Sequence, residues 1–162
     1  MAELPDVEIM RQYIDLNALR QVIEDVEVLN GSVLKGVSPE KLVETLRKNS
    51  FEESSRYGKY LFIRLRKNGW LALQFGMTGH LKYFKDLSEG PPYERLLISF
   101  TRGRHLAFAS QRKLGQVELI ASVEDYIHQH NLGPDAMSRS FDLSSFKKAL
   151  SKAKRSTVKT AL

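Results

Sequence analysis

The chain has 162 residues, with 25 Lys plus Arg against 19 Asp plus Glu, no Cys, and 42% hydrophobic residues. At this size roughly 70% of the unfolded chain's surface is buried on folding, enough for a core without disulfides or a structural metal. The lack of Cys excludes a disulfide framework, a thiol nucleophile and any thiolate zinc site.

A first helix is expected over residues 4–14. Val7, Met10 and Ile14 recur there at spacings of three and four, and Pro5 sits in the opening turn, where a missing amide proton costs nothing. The period changes to two over residues 22–29. A second helix is expected over residues 38–48: Ser38 caps it, Pro39 takes the first helical position, Glu40 follows, and Leu42, Val43 and Leu46 form the apolar side. Strands are then expected at residues 51–56, 60–66, 70–75, 80–84, 96–100, 105–109 and 117–121. Within residues 60–66 the odd positions stay apolar while the even ones drift to charge, which predicts one buried and one wetted face. Lys67-Asn68-Gly69 and Arg102-Gly103-Arg104 are tight turns and favour an antiparallel meander.

Residues 86–92, with Gly90-Pro91-Pro92, form the one loose stretch. Helical signals return at residues 123–129 and from residue 141 onward. The last segment, residues 144–162, is a basic helix with Phe146 and Leu150 on one side and no Gly or Pro stop, an ending expected to run on in a longer parent. The fold class expected is mainly β (α+β) in one domain. Apolar runs such as residues 70–73 fall far short of the roughly 20 residues of a membrane helix. The opening carries Glu3 and Asp6 where a signal peptide has bases, so a cytoplasmic protein with no membrane partner is expected.

Charge is unevenly spread. Residues 1–53 hold 11 acids and 6 bases, whereas residues 54–162 hold 8 acids and 19 bases. The bases come in groups: Arg56 and Lys59; Arg64, Arg66 and Lys67; Arg102 and Arg104; Arg112 and Lys113; then Lys147 through Lys159. Such a distribution suits a polyanion, and a merely solvated basic surface is the alternative.

Familiar catalytic signatures are missing. His80 and His105 fall on separate strands, and His128 and His130 are two apart, on different faces of a helix, with no carboxylate cluster beside them, so no metal site is expected. No nucleophile elbow or Gly-rich phosphate loop is present.

Five short segments do carry a specific pattern: Met1-Ala2-Glu3-Leu4-Pro5-Asp6-Val7-Glu8, Arg56-Tyr57-Gly58-Lys59-Tyr60-Leu61, Phe75-Gly76-Met77-Thr78-Gly79, Gln111-Arg112-Lys113-Leu114-Gly115 and Leu132-Gly133-Pro134-Asp135. In this order they resemble the formamidopyrimidine-DNA glycosylase and endonuclease VIII family, over nearly the whole chain. The resemblance implies an antiparallel β-sandwich or pseudo-barrel flanked by an N-terminal helix and further helices. It implies a catalytic domain over residues 1–145, and a basic helical segment, residues 146–162, leading into a helix-two-turn-helix domain that is absent, as is the family's zinc finger, so no cofactor is expected.

The chemistry implied is that of a DNA base-excision repair glycosylase with abasic-site lyase activity on oxidised bases. After Met removal the family uses an N-terminal proline amine to attack C1′ and form a Schiff base. An α-amine, with a pKa of about 7.7–8, leaves a useful fraction of free nucleophile at neutral pH. Here the position is Ala2, whose primary amine still forms an imine. Glu3 matches the family's acid/base, and its plainer role is an acid at a helix N-terminus. Lys59 matches the lysine placed against a phosphate near the lesion. Met77, Arg112 and Leu114 match the wedge that fills the gap of a flipped nucleotide, with Lys113 beside them. This chain departs from the family with Leu114 where an aromatic is usual, Lys113 for an arginine, Ser110-Gln111 for Asp-Pro, and Tyr93 where a histidine is expected. Lys152, Lys154, Arg155 and Lys159 are expected to retain some affinity for the DNA backbone, or simply to form a solvated helix face.

Two functions follow. One is an enzyme acting as a monomer on double-stranded DNA with a damaged base or abasic site, bacterial in type and at the nucleoid when acting. The other is a catalytically silent damaged-DNA-binding or regulatory domain, in which Ala2 marks loss of the nucleophile.

Overall fold

The computed structural model describes residues 2–152, so Met1 and the basic positions Lys154, Arg155 and Lys159 lie outside the described residues. The first helix, α1 (Leu4–Asn17), begins where Pro5 removes an amide proton that would have no partner, and the Glu3 N–H donates to Asp6 Oδ2 at 2.8 Å. Val7 and Ile14 are its fully buried residues. Each contributes about 1.5–3 kcal/mol by leaving water. Helix α2 (Pro39–Leu46) is capped as expected, Ser38 Oγ accepting from the Lys41 N–H at 3.2 Å.

Among the described residues eight strands form two four-stranded antiparallel sheets. One has the order β1 (Ile23–Val28), β6 (Glu94–Phe100), β7 (Arg104–Ser110) and β5 (Gly79–Phe84). The other has β2 (Phe51–Tyr57), β3 (Tyr60–Leu65), β4 (Trp70–Gln74) and β8 (Gln116–Ile120). All eight strands lie where period-two patterning predicts them. The expected meander holds for β2–β3–β4 and for β6–β7, but the chain changes sheet between β1 and β2, β4 and β5, and β7 and β8. These exchanges close the sandwich, because each sheet buries one face against the other. The shared core contains Phe51, Ile63, Leu73, Leu81, Ile98 and Phe108, and the Phe51 and Phe100 rings meet edge-on at 6.1 Å.

Strand β3 departs from the expectation of a wetted face. Leu61, Phe62 and Ile63 are all fully buried. The second face is covered by α3 (Val123–Gln129), whose Tyr126 ring meets Phe62 at 5.6 Å and Tyr60 at the same distance. A further helix, α4 (Leu143–Lys152), follows, and no described helix is long and apolar enough to cross a membrane.

Strand register defines the two ends of the sandwich. The pairs Tyr57↔Tyr60, Tyr60↔Gln74, Gln74↔Gln116 and Gly79↔Ser110 bring the β2–β3 hairpin, the β4–β5 turn and the β7–β8 loop to one end, with the start of α1. The pairs Arg64↔Trp70, Phe100↔Arg104 and Ile23↔Phe100 gather the other hairpins at the opposite end, with the end of α1.

Candidate active site and nucleic-acid interface

The end that holds the start of α1 also gathers most of the residues singled out in the sequence. Ala2 packs against the core, and its N–H donates to the Gly76 carbonyl at 3.0 Å. Glu3 leads into α1, and its Oε2 lies 2.6 Å from Lys59 Nζ. Lys59 projects from the β2–β3 hairpin beside Gly58, whose φ of +55° turns the chain there. Both members of the pair are about half exposed, so the contact orients two side chains and adds little stability.

The wedge residues come from two loops locked together. Gly76, at φ +60°, lies so close to Leu114 that a Cβ there would sit 2.7 Å from the Leu114 carbonyl carbon. The Arg112 N–H donates to Thr78 Oγ1 at 3.1 Å, and Arg112 Nη1 donates to Met77 Sδ at 3.3 Å. Met77 and Leu114 stay 44% and 52% exposed, large apolar groups held out in water by a rigid base. Lys113, at φ +55°, is the exposed residue between Arg112 and Leu114. Tyr93 stands at the same end, 53% exposed at φ +62°, its carbonyl accepting from the Ser110 N–H at 3.0 Å. An exposed aromatic in the left-handed region is a strained placement.

Beneath the site lies an ion network that the motifs contain but do not spell out. The Arg56 side chain is only 7% exposed and reaches Asp135 Oδ2 at 2.9 Å, Glu8 Oε2 at 3.2 Å and the Gly58 carbonyl at 3.1 Å. It ties α1, the hairpin that bears Lys59 and the segment after α3 into one base. Hydrogen bonding to Arg11 pushes the Glu8 carboxyl down to about 2, with Gln12 and Arg56 acting the same way and burial opposing them. Sequence reasoning quoted Arg56 and Asp135 without a role, since their pairing spans 79 positions. It also missed Thr78 as the hydroxyl that couples the two wedge loops, although the residue lies inside a quoted motif.

The histidines stay apart: His80 Nδ1 lies 3.4 Å from the Thr78 carbonyl, His105 Nδ1 pairs with Ser99 Oγ at 2.9 Å, and His130 stacks on Tyr126. Among the described residues no three His, Cys, Asp or Glu side chains converge as a metal site. With no Cys in the chain, these residues do not fit the family's zinc finger.

The fold and the site have counterparts in known proteins. Residues 1–117 match the family model for the formamidopyrimidine-DNA glycosylase N-terminal domain. The whole chain aligns with formamidopyrimidine-DNA glycosylases from Arabidopsis thaliana, at 30% identity and 45% of that protein's length, and Thermosynechococcus vestitus, at 31% identity and 58% of its length. It spans about half the length of such curated relatives. Lactococcus lactis Fpg in complex with DNA containing an abasic site superposes with a TM-score of 0.85 at 26% identity, over 93% of this chain and 57% of that one. The same protein with DNA containing N7-benzyl-Fapy-dG superposes equally well, at 0.85 and 26%, over 93% of this chain and 56% of that one. By its sequence, its strand topology and the order of its motifs, the chain belongs to the formamidopyrimidine-DNA glycosylase family.

Proposed function

We propose that this chain is the catalytic half of a DNA base-excision repair glycosylase with abasic-site lyase chemistry, acting as a monomer on double-stranded DNA in the cytoplasm. Residues 1–145 form the catalytic domain, and residues 146–162 lead on from it and add backbone contacts through Lys154, Arg155 and Lys159. The observation that carries the reading is the convergence of Ala2, Glu3, Lys59, Met77, Arg112 and Leu114 at one end of the sandwich, connected through the Gly76 carbonyl and the Glu3–Lys59 pair.

With Met1 removed, the Ala2 nitrogen is an α-amine, part of it unprotonated at neutral pH. The Ala2 N–H that donates to the Gly76 carbonyl while Met1 is attached can keep that contact as one N–H of the freed amine, leaving the lone pair for the sugar. It attacks C1′ of the damaged nucleoside: the N–C1′ bond forms, the bond from C1′ to the base breaks, and the base leaves with a proton. The Glu3 carboxylate takes the remaining ammonium proton from the Ala2 nitrogen and delivers it to the sugar ring oxygen as the C1′–O bond opens, leaving the imine. Lys59 is placed to exchange Glu3 for a DNA phosphate, which releases Glu3 for this transfer. Met77 and Leu114 prop the stack where the nucleotide has left, Arg112 faces the unpaired base, and Lys113 takes a phosphate.

Borohydride trapping on an abasic-site duplex, read by intact mass, tests the reading. The expected product is a covalent adduct on a chain that begins at Ala2. A chain that begins at Ala2 and binds the duplex at low salt without forming an adduct overturns it. That result selects the second reading, a silent damaged-DNA-binding domain, which Ala2 in place of proline favours.

A further inference from the structure

The end of the sandwich opposite Ala2 carries six exposed basic residues from four separate chain segments: Arg20 after α1, Lys48 after α2, Arg66 and Lys67 in the β3–β4 hairpin, and Arg102 and Arg104 in the β6–β7 hairpin. Backbone hydrogen bonds knit these segments into one surface. The Arg20 N–H donates to the Phe51 carbonyl at 2.7 Å, Lys48 N–H to Ile23 at 2.8 Å, Arg66 N–H to Ser50 at 3.0 Å and Thr101 N–H to Val22 at 3.0 Å. Among the described residues none of the six basic side chains pairs with a carboxylate. Nearby acids are spent or few: Asp25 is held by Arg47, Glu52 Oε1 accepts from Ser50 Oγ at 2.7 Å, and Glu24 is exposed on β1.

Two further observations separate this pole from an ordinary solvated surface. Arg20, Arg102 and Arg104 line a cavity of about 540 Å³ with Asn17, Gln21 and Tyr83, and no acid lines it. One wall is rigid, because Gln21 Nε2 donates to the Tyr83 hydroxyl at 2.8 Å and that hydroxyl lies 3.1 Å from Gln21 Oε1. In addition, Arg20 and Lys48 both hold φ at +59°, a conformation that glycine adopts freely and a long side chain does not. A long basic side chain therefore occupies a left-handed backbone position at both sites.

We propose that this pole is a second phosphodiester-binding surface, which holds a second duplex segment while the first occupies the Ala2 end. The 14 residues of α1 separate the two ends by about 21 Å along its axis. Arginine suits the role, since its planar fork grips phosphate oxygens in pairs. A protein holding two segments passes between them without entering free solution. The choice of DNA as the polyanion rests on the function proposed above.

The test is the number of short undamaged duplexes bound per protein at low salt, by native mass spectrometry of the full chain. Two are expected for the unaltered protein and one for Arg102→Glu/Arg104→Glu, with borohydride trapping at the Ala2 end unchanged. In the milder Arg102→Gln/Arg104→Gln variant, which keeps a weakened second site, the slope of log affinity against log salt should become about 1.8 less steep on loss of two contacts. Arg20→Gly/Lys48→Gly should raise the melting temperature while weakening the second duplex, a pairing of effects that misfolding does not produce. A single duplex on the unaltered protein overturns the proposal, as does a second duplex indifferent to these variants. Polyglutamate displacing the second duplex as efficiently as DNA also overturns it, in favour of an acidic protein partner. Two duplexes bound with no trapped adduct leave this pole standing and sink the glycosylase reading instead.

Discussion

The two ends of the sandwich are both basic, yet they are built in opposite ways. At the Ala2 end the cations other than Lys113 are committed: Arg56 is buried between Glu8 and Asp135, Lys59 holds Glu3, and Arg112 is bound to the neighbouring loop through Thr78 and Met77. At the far end Arg20, Lys48, Arg66, Lys67, Arg102 and Arg104 have no carboxylate partner among the described residues, and of the six only Lys67 has a polar contact for its charged group, Nζ donating to the Lys48 carbonyl at 3.2 Å. Internal partners fix side chains in position, which chemistry at one carbon atom requires. Unpaired cations give affinity without registration, which a phosphate backbone of any sequence requires. Similar charge is thus held mostly by internal partners at one end and left without carboxylates at the other, as positioning and attraction respectively require.

The sharpest way to break this contrast is to disarm the positioned end without altering its shape. Glu3→Gln should slow turnover of a damaged duplex by about 10²–10⁴-fold, the usual range for losing a general acid or base, while duplex affinity stays within a few fold. Single-turnover kinetics beside a binding titration separates the two. A loss of affinity equal to the loss of rate would mean that Glu3 only holds Lys59.

Next in size is the buried base of the site. Arg56→Ala leaves Asp135 buried without its partner, and breaking such a pair costs about 3–5 kcal/mol, read as a fall in urea midpoint. No single arginine at the far end should approach this, and an Arg104→Ala variant of equal cost would erase the distinction between the ends.

The close approach of the two wedge loops comes third. In Gly76→Ala the new methyl meets the Leu114 backbone and the residue must keep a φ of +60°, for about 1–3 kcal/mol of strain. The variant should weaken abasic-duplex binding more than it weakens binding at the opposite pole. Equal weakening would show that the loops are not one unit.

Acid provides a graded version of the same test. Glu8 is held down to about 2, below its ordinary 4.5, so its pairing with Arg11 stabilises the fold fully above about 4.5 and is lost as pH falls through about 2. Glu8→Gln should therefore cost stability at pH 7, by about 1–2 kcal/mol after screening on its solvent side, and only a small part of that at pH 2. An unchanged difference at both pH values would assign the cost to packing instead.

Much of this organisation is legible in the sequence, and the parts that are not share a physical reason. Period-two runs locate every strand, because alternation is a local consequence of the pleat. The same pattern misreads β3, since Phe62 is buried by Tyr126, 64 positions further along the chain, and a local run cannot register what covers its second face. Ala2, Glu3, Lys59, Met77, Arg112 and Leu114 stand inside short motifs, so they are visible one by one, whereas Arg56–Asp135 and Arg112–Thr78 are pairings made by the fold. The far pole is harder still. Its six bases come from four segments, and only strand register reveals that they share an end.

Lys59 gives the smallest and most discriminating effect, because it belongs to the committed end by geometry and resembles the far end in exposure. Lys59→Met removes an ion pair whose members are 46% and 48% exposed, so thermal stability should move by under about 1 kcal/mol. Duplex binding should nevertheless weaken, with the salt slope reduced by about 0.9 for one lost phosphate contact. If Lys59 serves only attraction, trapping at saturating duplex stays at its original rate. If it also sets Glu3, the rate falls even when every molecule is bound, and a rate measured at saturation distinguishes a cation that gathers DNA from one that arranges the reaction.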